Sequence, residues 1–121
     1  MNQKFRPDCF VVVTIFNKGD PPKRSCGVAL LDRNKKVFFE AAAFLGKSSF
    51  LDAQLRALHL GLSYAHKFRN EKIELLLSNK NLPKDEGIDG LLQNFSFWRV
   101  EQAKTEELEL ARVWAEKIFA K

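Results

Sequence analysis

Apolar residues in the first third of the chain form three short runs of the kind that become β-strands. The first run, residues 10–16, is rich in β-branched and aromatic residues and ends at the turn-rich segment 17–22. Two further runs, residues 26–31 and 37–44, flank a polar loop, which indicates a hairpin. The pattern therefore predicts an antiparallel meander of three strands.

After this meander the apolar spacing changes to that of a helix. Leucines and alanines recur three and four positions apart and predict a helix over residues 50–68, with Leu51 on its apolar face. Ser48 and Ser49 precede it, and either can serve as its N-cap. A row of small residues at a spacing of four would let this helix lie close to a sheet: Ala57, Gly61 and Ala65.

The rest of the chain alternates between the two kinds of pattern. Strands are predicted at residues 73–78 and 95–100, with a short helical turn at 88–93 between them. A last helix begins at Thr105 with acidic residues in its first turn. The order β-β-β-α-β-(short α)-β-α predicts an α/β fold with a mixed sheet of five strands and helices on its faces.

Length and composition favour one folded domain over residues 1–121, in which residues 1–8 are a candidate for a flexible N-terminal extension. The hydrophobic fraction of 45% is enough for a core, and no apolar run reaches the roughly 18–20 residues of a membrane span. The polar N-terminus lacks the apolar segment of a secretory signal. We therefore expect an intracellular chain, cytoplasmic or nuclear, without a membrane partner. Cys9 and Cys26 are expected to be buried thiols.

Three segments resemble the ribonuclease H-like superfamily. The strongest is residues 51–62, L-D-A-Q-L-R-A-L-H-L-G-L, which is similar to the first-helix pattern L-E-A-E-L-x-A-L-x-x-G-L of plant and retroelement reverse-transcriptase-type ribonuclease H. Residues 26–32 resemble the second strand of that family, and residues 108–112 resemble the start of its last helix. The resemblance covers roughly residues 8–120 and implies the ribonuclease H-like fold.

The family hydrolyses phosphodiesters at two divalent metal ions, which hard carboxylate ligands must hold. The resemblance implies four positions for those carboxylates, and none carries one here: Thr14, Gln54, Ser78 and Leu108. A register slip of one residue would give Ile15 or Asn79, which are no better. We therefore expect a catalytically degenerate domain that holds no metal and needs no cofactor.

The formal net charge of +5 is compatible with a polyanionic partner. In active relatives the duplex crosses the first loop and the start of the first helix. The matching positions here are Lys18, Lys23, Arg24, Lys47, Ser48 and Ser49. The resemblance thus predicts binding of RNA or an RNA–DNA hybrid through a basic loop surface, and a merely solvated loop is the competing interpretation.

A second hypothesis is a protein-interaction or self-association module on the same inactive fold, because a fold does not determine function. The aromatic residues that could form such a surface, or equally the core, are Phe95, Phe97, Trp98, Trp114 and Phe119. A ribosomal-type RNA binder has the same element order, but its tails are usually more basic than those of this chain.

Overall fold

Five strands form one mixed sheet in the computed structural model, which describes residues 6–119. The strands are β1 (Cys9–Lys18), β2 (Lys23–Asp32), β3 (Val37–Gly46), β4 (Lys72–Leu77) and β5 (Phe97–Gln102). The helices are α1 (Phe50–Lys67), α2 (Glu86–Leu92) and α3 (Thr105–Lys117). The strand order is β3-β2-β1-β4-β5, antiparallel from β1 to β3 and parallel from β1 through β4 to β5. The predicted fold class and element order are confirmed.

The central strand β1 is buried on both faces, which explains why its sequence is almost continuously apolar. Alternate residues of a strand point to opposite faces, so Val11 and Val13 pack in the cluster that contains Leu58 and Leu62 of α1. Val12 belongs instead to the cluster that contains Ala111 of α3. The two large helices therefore cover opposite faces of the sheet.

Two glycines allow these helices to approach the sheet closely. A Cβ atom at Gly61 would lie 2.9 Å from Val13 Cγ2 and 3.0 Å from Val11 Cγ1, so α1 rests almost directly on β1. A Cβ atom at Gly27 would lie only 1.9 Å from the Ala111 carbonyl oxygen of α3. The small-residue row predicted on the first helix is confirmed, since Ala57, Gly61 and Ala65 are all buried.

Three details of the sequence interpretation are wrong. The β1–β2 hairpin is longer than predicted, because Asn17 and Lys18 continue β1 and pair with β2. Leu51 is 56% exposed, although its spacing in α1 matches that of the buried residues. Strand β5 begins at Phe97 and not at Phe95, which is buried in the preceding turn.

The chain is tied to the sheet from residue 8 onwards. The Asp8 carboxylate accepts hydrogen bonds from the backbone N–H groups of Glu71, at 3.3 Å, and Lys72, at 3.1 Å. Residues 1–5 of the predicted extension lie outside the described residues.

Both cysteine thiols are buried, as expected, and burial raises the pKa of Cys9 to about 12. None of the helices in residues 6–119 is long and apolar enough to cross a membrane.

Candidate functional site

Three of the four positions at which the resemblance implies metal ligands meet in the folded chain. Thr14 of β1, Gln54 of α1 and Ser78, the residue after β4, line one cavity of about 180 Å³. The remaining walls are one aromatic and several aliphatic side chains: Val13, Ile15, Phe50, Leu58 and Leu77. We call this site the neutral cavity, because none of its lining side chains is ionisable.

The register of β1 and β4 brings Thr14 and Ser78 to the same end of the sheet. These parallel strands pair Val12 with Leu76, and Thr14 and Ser78 each follow two residues later. Thr14 is still within β1 and Ser78 directly follows β4, so both residues lie near the cavity end of the sheet. Thr14 is half-buried there, and Ser78 is exposed.

Helix α1 supplies the third polar group. Gln54 and Leu58 are one turn apart on α1, and both line the neutral cavity. Gly61 lies two turns beyond Gln54, and its close contact with β1 holds this face of the helix against the strand. Phe50, the first residue of α1, forms the outer wall and is 52% exposed. Sequence reasoning missed Phe50, because an exposed aromatic residue at a helix start gives no periodic signal.

The polar side chains of the neutral cavity have unused hydrogen-bonding capacity. Within the described part of the chain, no side-chain hydrogen bond engages Thr14, Gln54 or Ser78. Two hydroxyl groups and one carboxamide can together donate and accept several hydrogen bonds without carrying charge. The cavity is therefore suited to a neutral polar group.

Acidic residues close to these positions in sequence have other surroundings. Asp52 lines a different cavity, together with Arg56 and His59. Three others form ion pairs: Glu74 with Arg99, Glu107 with Lys35 and Glu109 with Arg112. Among residues 6–119, no group of three or more His, Cys, Asp or Glu side chains is placed to hold a metal ion.

Leu108 does not join the other three positions. It is a partly buried residue of α3 and packs against the apolar cluster of Phe10, Val12 and Leu76. Its neighbour Glu107 is buried, accepts a hydrogen bond from the Lys104 backbone N–H at 2.8 Å and pairs with Lys35 Nζ at 3.1 Å. Burial opposes ionisation of Glu107, but the Lys104 N–H and the Lys35 ammonium outweigh it, so its pKa is lowered.

Half of the predicted nucleic-acid-binding residues form a second group. Lys18 and Lys23 are register partners at the tip of the β1–β2 hairpin. Together with Lys47 they line an open cavity of about 430 Å³, which we call the basic cluster; Asp20 also lines it. Three ammonium groups and one carboxylate leave this end of the sheet with a local excess of positive charge.

The other predicted binding residues have roles in the loop that follows β3. Arg24 Nε donates to the Ser48 carbonyl oxygen at 2.8 Å. The Ser48 hydroxyl donates to the Leu45 carbonyl oxygen at 3.1 Å. The Ser49 hydroxyl accepts from the Asp52 N–H at 3.1 Å, so Ser49 is the N-cap of α1. These contacts hold the loop in place between the hairpin and the helix.

Arg24 also connects the basic cluster with the neutral cavity. It follows Lys23 in β2, and its guanidinium carbon lies 5.7 Å from the centroid of the Phe50 ring. A guanidinium at this distance is attracted by the face of an aromatic ring. Positive charge therefore extends from the hairpin tip to the outer wall of the cavity.

The five aromatic residues suggested for a protein-binding surface do not form one group. Phe95, Phe97 and Trp98 line one open cavity of about 580 Å³, in which Phe95 is buried and Phe97 and Trp98 are exposed on the edge strand β5. On the opposite side of the molecule, the Trp114 indole donates a hydrogen bond to Glu40, and the Phe119 ring lies 5.9 Å from that of Phe16. The structure does not bring the five residues together into one surface.

Comparison with solved structures shows that the chain has the ribonuclease H-like fold. In particular it is similar to RNase H1 from the halophilic archaeon Halobacterium salinarum, with a TM-score of 0.80, 17% identity and coverage of 93% of this chain and 97% of that one. It is also similar to LC11-RNase H1 in complex with an RNA/DNA hybrid, with a TM-score of 0.68, 14% identity and coverage of 92% of this chain and 99% of that one. The similarity to the prototype foamy virus protease–reverse transcriptase has a TM-score of 0.66 and 12% identity. It covers 96% of this chain but only 21% of that longer one. No protein-family model and no curated protein matches the sequence.

Proposed function

We propose that this chain is a catalytically inactive ribonuclease H-like module that binds RNA or an RNA–DNA hybrid. The observation that carries the proposal is the basic cluster beside the neutral cavity. Both lie at the end of the sheet that contains the C-terminal ends of β1 and β4. Lysine side chains bind phosphates by charge and with little dependence on sequence. LC11-RNase H1, which has the same fold, has been solved with an RNA/DNA hybrid, which supports this choice of partner.

The neutral cavity supports the inactive part of the proposal. Divalent ions such as Mg²⁺ are held by carboxylates, whose charge offsets that of the ion. Thr14, Gln54 and Ser78 place only neutral oxygen and nitrogen atoms in the cavity. A hydroxyl or an amide can orient water around a metal ion, but it cannot balance the charge of two such ions.

Binding can be tested by fluorescence anisotropy with a labelled RNA–DNA hybrid over a range of salt concentrations. We expect affinity to fall steeply with salt, because bound phosphates release counterions. The triple variant K18Q/K23Q/K47Q should bind more weakly, and its log–log salt slope should be smaller by roughly 0.9 for each lost phosphate contact.

The matched control removes the same charge from the opposite end of the sheet. Lys36, Lys67 and Lys72 lie there, in the β2–β3 turn, at the end of α1 and at the start of β4. The variant K36Q/K67Q/K72Q should keep most of the affinity. Equal losses in both variants, or no binding at low salt, would contradict the proposed surface.

Inactivity has a separate test. Pure protein is incubated with the labelled hybrid and Mn²⁺, and the products are separated on a denaturing gel. We expect the hybrid to remain intact. Cleavage that depends on the metal and is lost in a Q54L variant would show that the cavity is an active nuclease site.

A further inference from the structure

We propose that the neutral cavity binds one unpaired nucleobase of the nucleic acid that the basic cluster holds. This inference rests on the proposed function, since the basic cluster brings the strand to the cavity. It adds a second mode of recognition, in which a base and not a phosphate is contacted. Three properties of the cavity support it: its hydrogen-bonding groups, its aromatic wall and its size.

The hydrogen-bonding groups match the edge of a base. A carboxamide presents one acceptor and one donor side by side, and this pair is complementary to the adjacent donor and acceptor atoms of a nucleobase. Gln54 supplies the carboxamide, and the Thr14 and Ser78 hydroxyls can each donate or accept. With no cation lining the cavity, a phosphate would find no counter-charge inside it. The lining therefore favours a neutral ligand over an anionic one.

The aromatic wall matches the face of a base. Unpaired bases are commonly held by stacking on aromatic side chains. The Phe50 ring lines the cavity while remaining 52% exposed, so a base can reach it from solvent. Leu58 and Leu77 form an apolar floor on which the ring of the base can rest. Arg24, close to the Phe50 ring, adds positive charge where the sugar and phosphate would emerge.

The volume allows one ring system and little more. Pockets for drug-sized ligands measure roughly 300–1,000 Å³, whereas an engineered cavity of about 150 Å³ accepts benzene. At about 180 Å³ the neutral cavity is therefore large enough for a base but too small for a complete nucleotide. The sugar and the phosphate of the same nucleotide would lie outside, towards Arg24 and the basic cluster.

The experiment compares two single-stranded oligonucleotides with the same number of phosphates, one with bases and one made of abasic sugar–phosphate units. We expect the abasic strand to bind at least about fivefold more weakly, which is the lower end of what base–aromatic stacking contributes. The variants F50L and Q54L should reduce this difference, each by removing one of the base contacts. The control F97L changes a Phe of similar exposure on the far edge strand and should leave the difference unchanged. Tm measurements confirm that each variant is folded.

The outcomes separate this inference from the proposed function. Equal, salt-sensitive binding of both strands would overturn the base site and leave the proposed function intact. If neither strand binds, the hybrid titration described above decides the proposed function, and uncharged adenosine then tests the cavity by NMR. Adenosine that shifts the Gln54 side-chain amide signals would support a base site in the cavity, and unchanged signals would overturn it. Adenosine binding without any gain from bases in the oligonucleotide would overturn the assignment to a base within a strand.

Discussion

At the scale of single residues, the chemistry of the cavity depends on side chains that are polar but uncharged. Gln54 has the size of a glutamate but carries a neutral amide, and Thr14 and Ser78 are short hydroxyl residues. A cavity with these groups can form hydrogen bonds, but it lacks the negative charge that attracts a divalent cation. Replacing the three residues should therefore change the preferred ligand without changing the fold.

The first prediction concerns the charge of the neutral cavity. The variant T14D/Q54E/S78D places three carboxylates around one cavity, so it should bind Mn²⁺. Because bound metal stabilises the folded state, saturating Mn²⁺ should raise the Tm of the variant by several degrees. Differential scanning fluorimetry with and without Mn²⁺ makes the measurement.

A control variant carries the same added charge elsewhere. Asn81, Gln93 and Asn94 are exposed and do not line the neutral cavity, so N81D/Q93E/N94D should show no comparable shift. A similar rise of Tm in both variants would indicate general charge neutralisation, and the three cavity residues would then not form a geometric metal site.

At the scale of elements, the start of α3 depends on one buried carboxylate. Glu107 accepts from the Lys104 N–H at 2.8 Å, which satisfies one of the free N–H groups at the helix start. It also pairs with Lys35 in the turn between β2 and β3, at 3.1 Å. The same side chain thus caps the helix and links it to the sheet.

The second prediction concerns E107Q. In the folded protein the pKa of Glu107 lies below its usual 4.5, so the carboxylate stabilises the fold above that pH. This contribution is lost as the pH falls from 4.5 through the lower pKa of the folded state. We expect E107Q to be less stable by about 1 kcal/mol at pH 7.

Urea unfolding at several pH values measures the effect. The difference between wild type and E107Q should shrink as the solution is acidified below pH 4.5. The control E106Q removes an exposed carboxylate from the same helical turn and should have a much smaller effect. A difference for E107Q that does not depend on pH would contradict the assigned role.

The sequence was sufficient to predict the elements themselves, because each has a clear period and clear ends. The wrong predictions concern strand ends and burial, which depend on contacts between elements that are distant in sequence. Asn17 and Lys18 look like a loop, since polar residues near Gly19 favour a turn, but pairing with β2 extends the strand through them. Leu51 fits the helical period, but its side chain is 56% exposed in the folded chain. Neither fact is visible in a local pattern.

At the scale of the whole molecule, the sheet and the two helices that cover it approach each other very closely at two glycines, Gly27 and Gly61. The tighter approach is at Gly27, where β2 meets the Ala111 carbonyl of α3. A methyl group there would lie 1.9 Å from a backbone oxygen, and that oxygen cannot move without moving the helix. The position therefore sets the distance between the sheet and α3.

The third prediction compares two identical substitutions. G27A should destabilise the protein by about 3 kcal/mol or more, because the clash involves backbone on both sides. G90A is the control: its added methyl group would have no neighbour within 4 Å, and alanine favours the helix α2. Chemical denaturation should show G90A to be neutral or slightly stabilised. Similar stabilities for the two variants would contradict the close approach of α3.

The candidate site was predictable only in part. Counting along the resemblance predicted Thr14, Gln54 and Ser78, and in the fold β1, α1 and the end of β4 place these residues around one cavity. The same counting gave Leu108, which packs in the core instead, because a short helix motif does not determine how α3 is rotated on the sheet. Arg24 was proposed for its charge, and its contacts with Ser48 and Phe50 depend on the folded hairpin.

The location of the neutral cavity has a consequence for how such a chain can change over generations. Thr14, Gln54 and Ser78 lie at the rim of the core and are half-buried or exposed, whereas Gly27 and Gly61 lie in its tightest contacts. Mutations at the rim cost little stability, so they can accumulate, revert or be replaced while the architecture persists. In this chain the architecture therefore depends on the glycines and the strand register, whereas the chemistry of the cavity depends on three side chains at its rim.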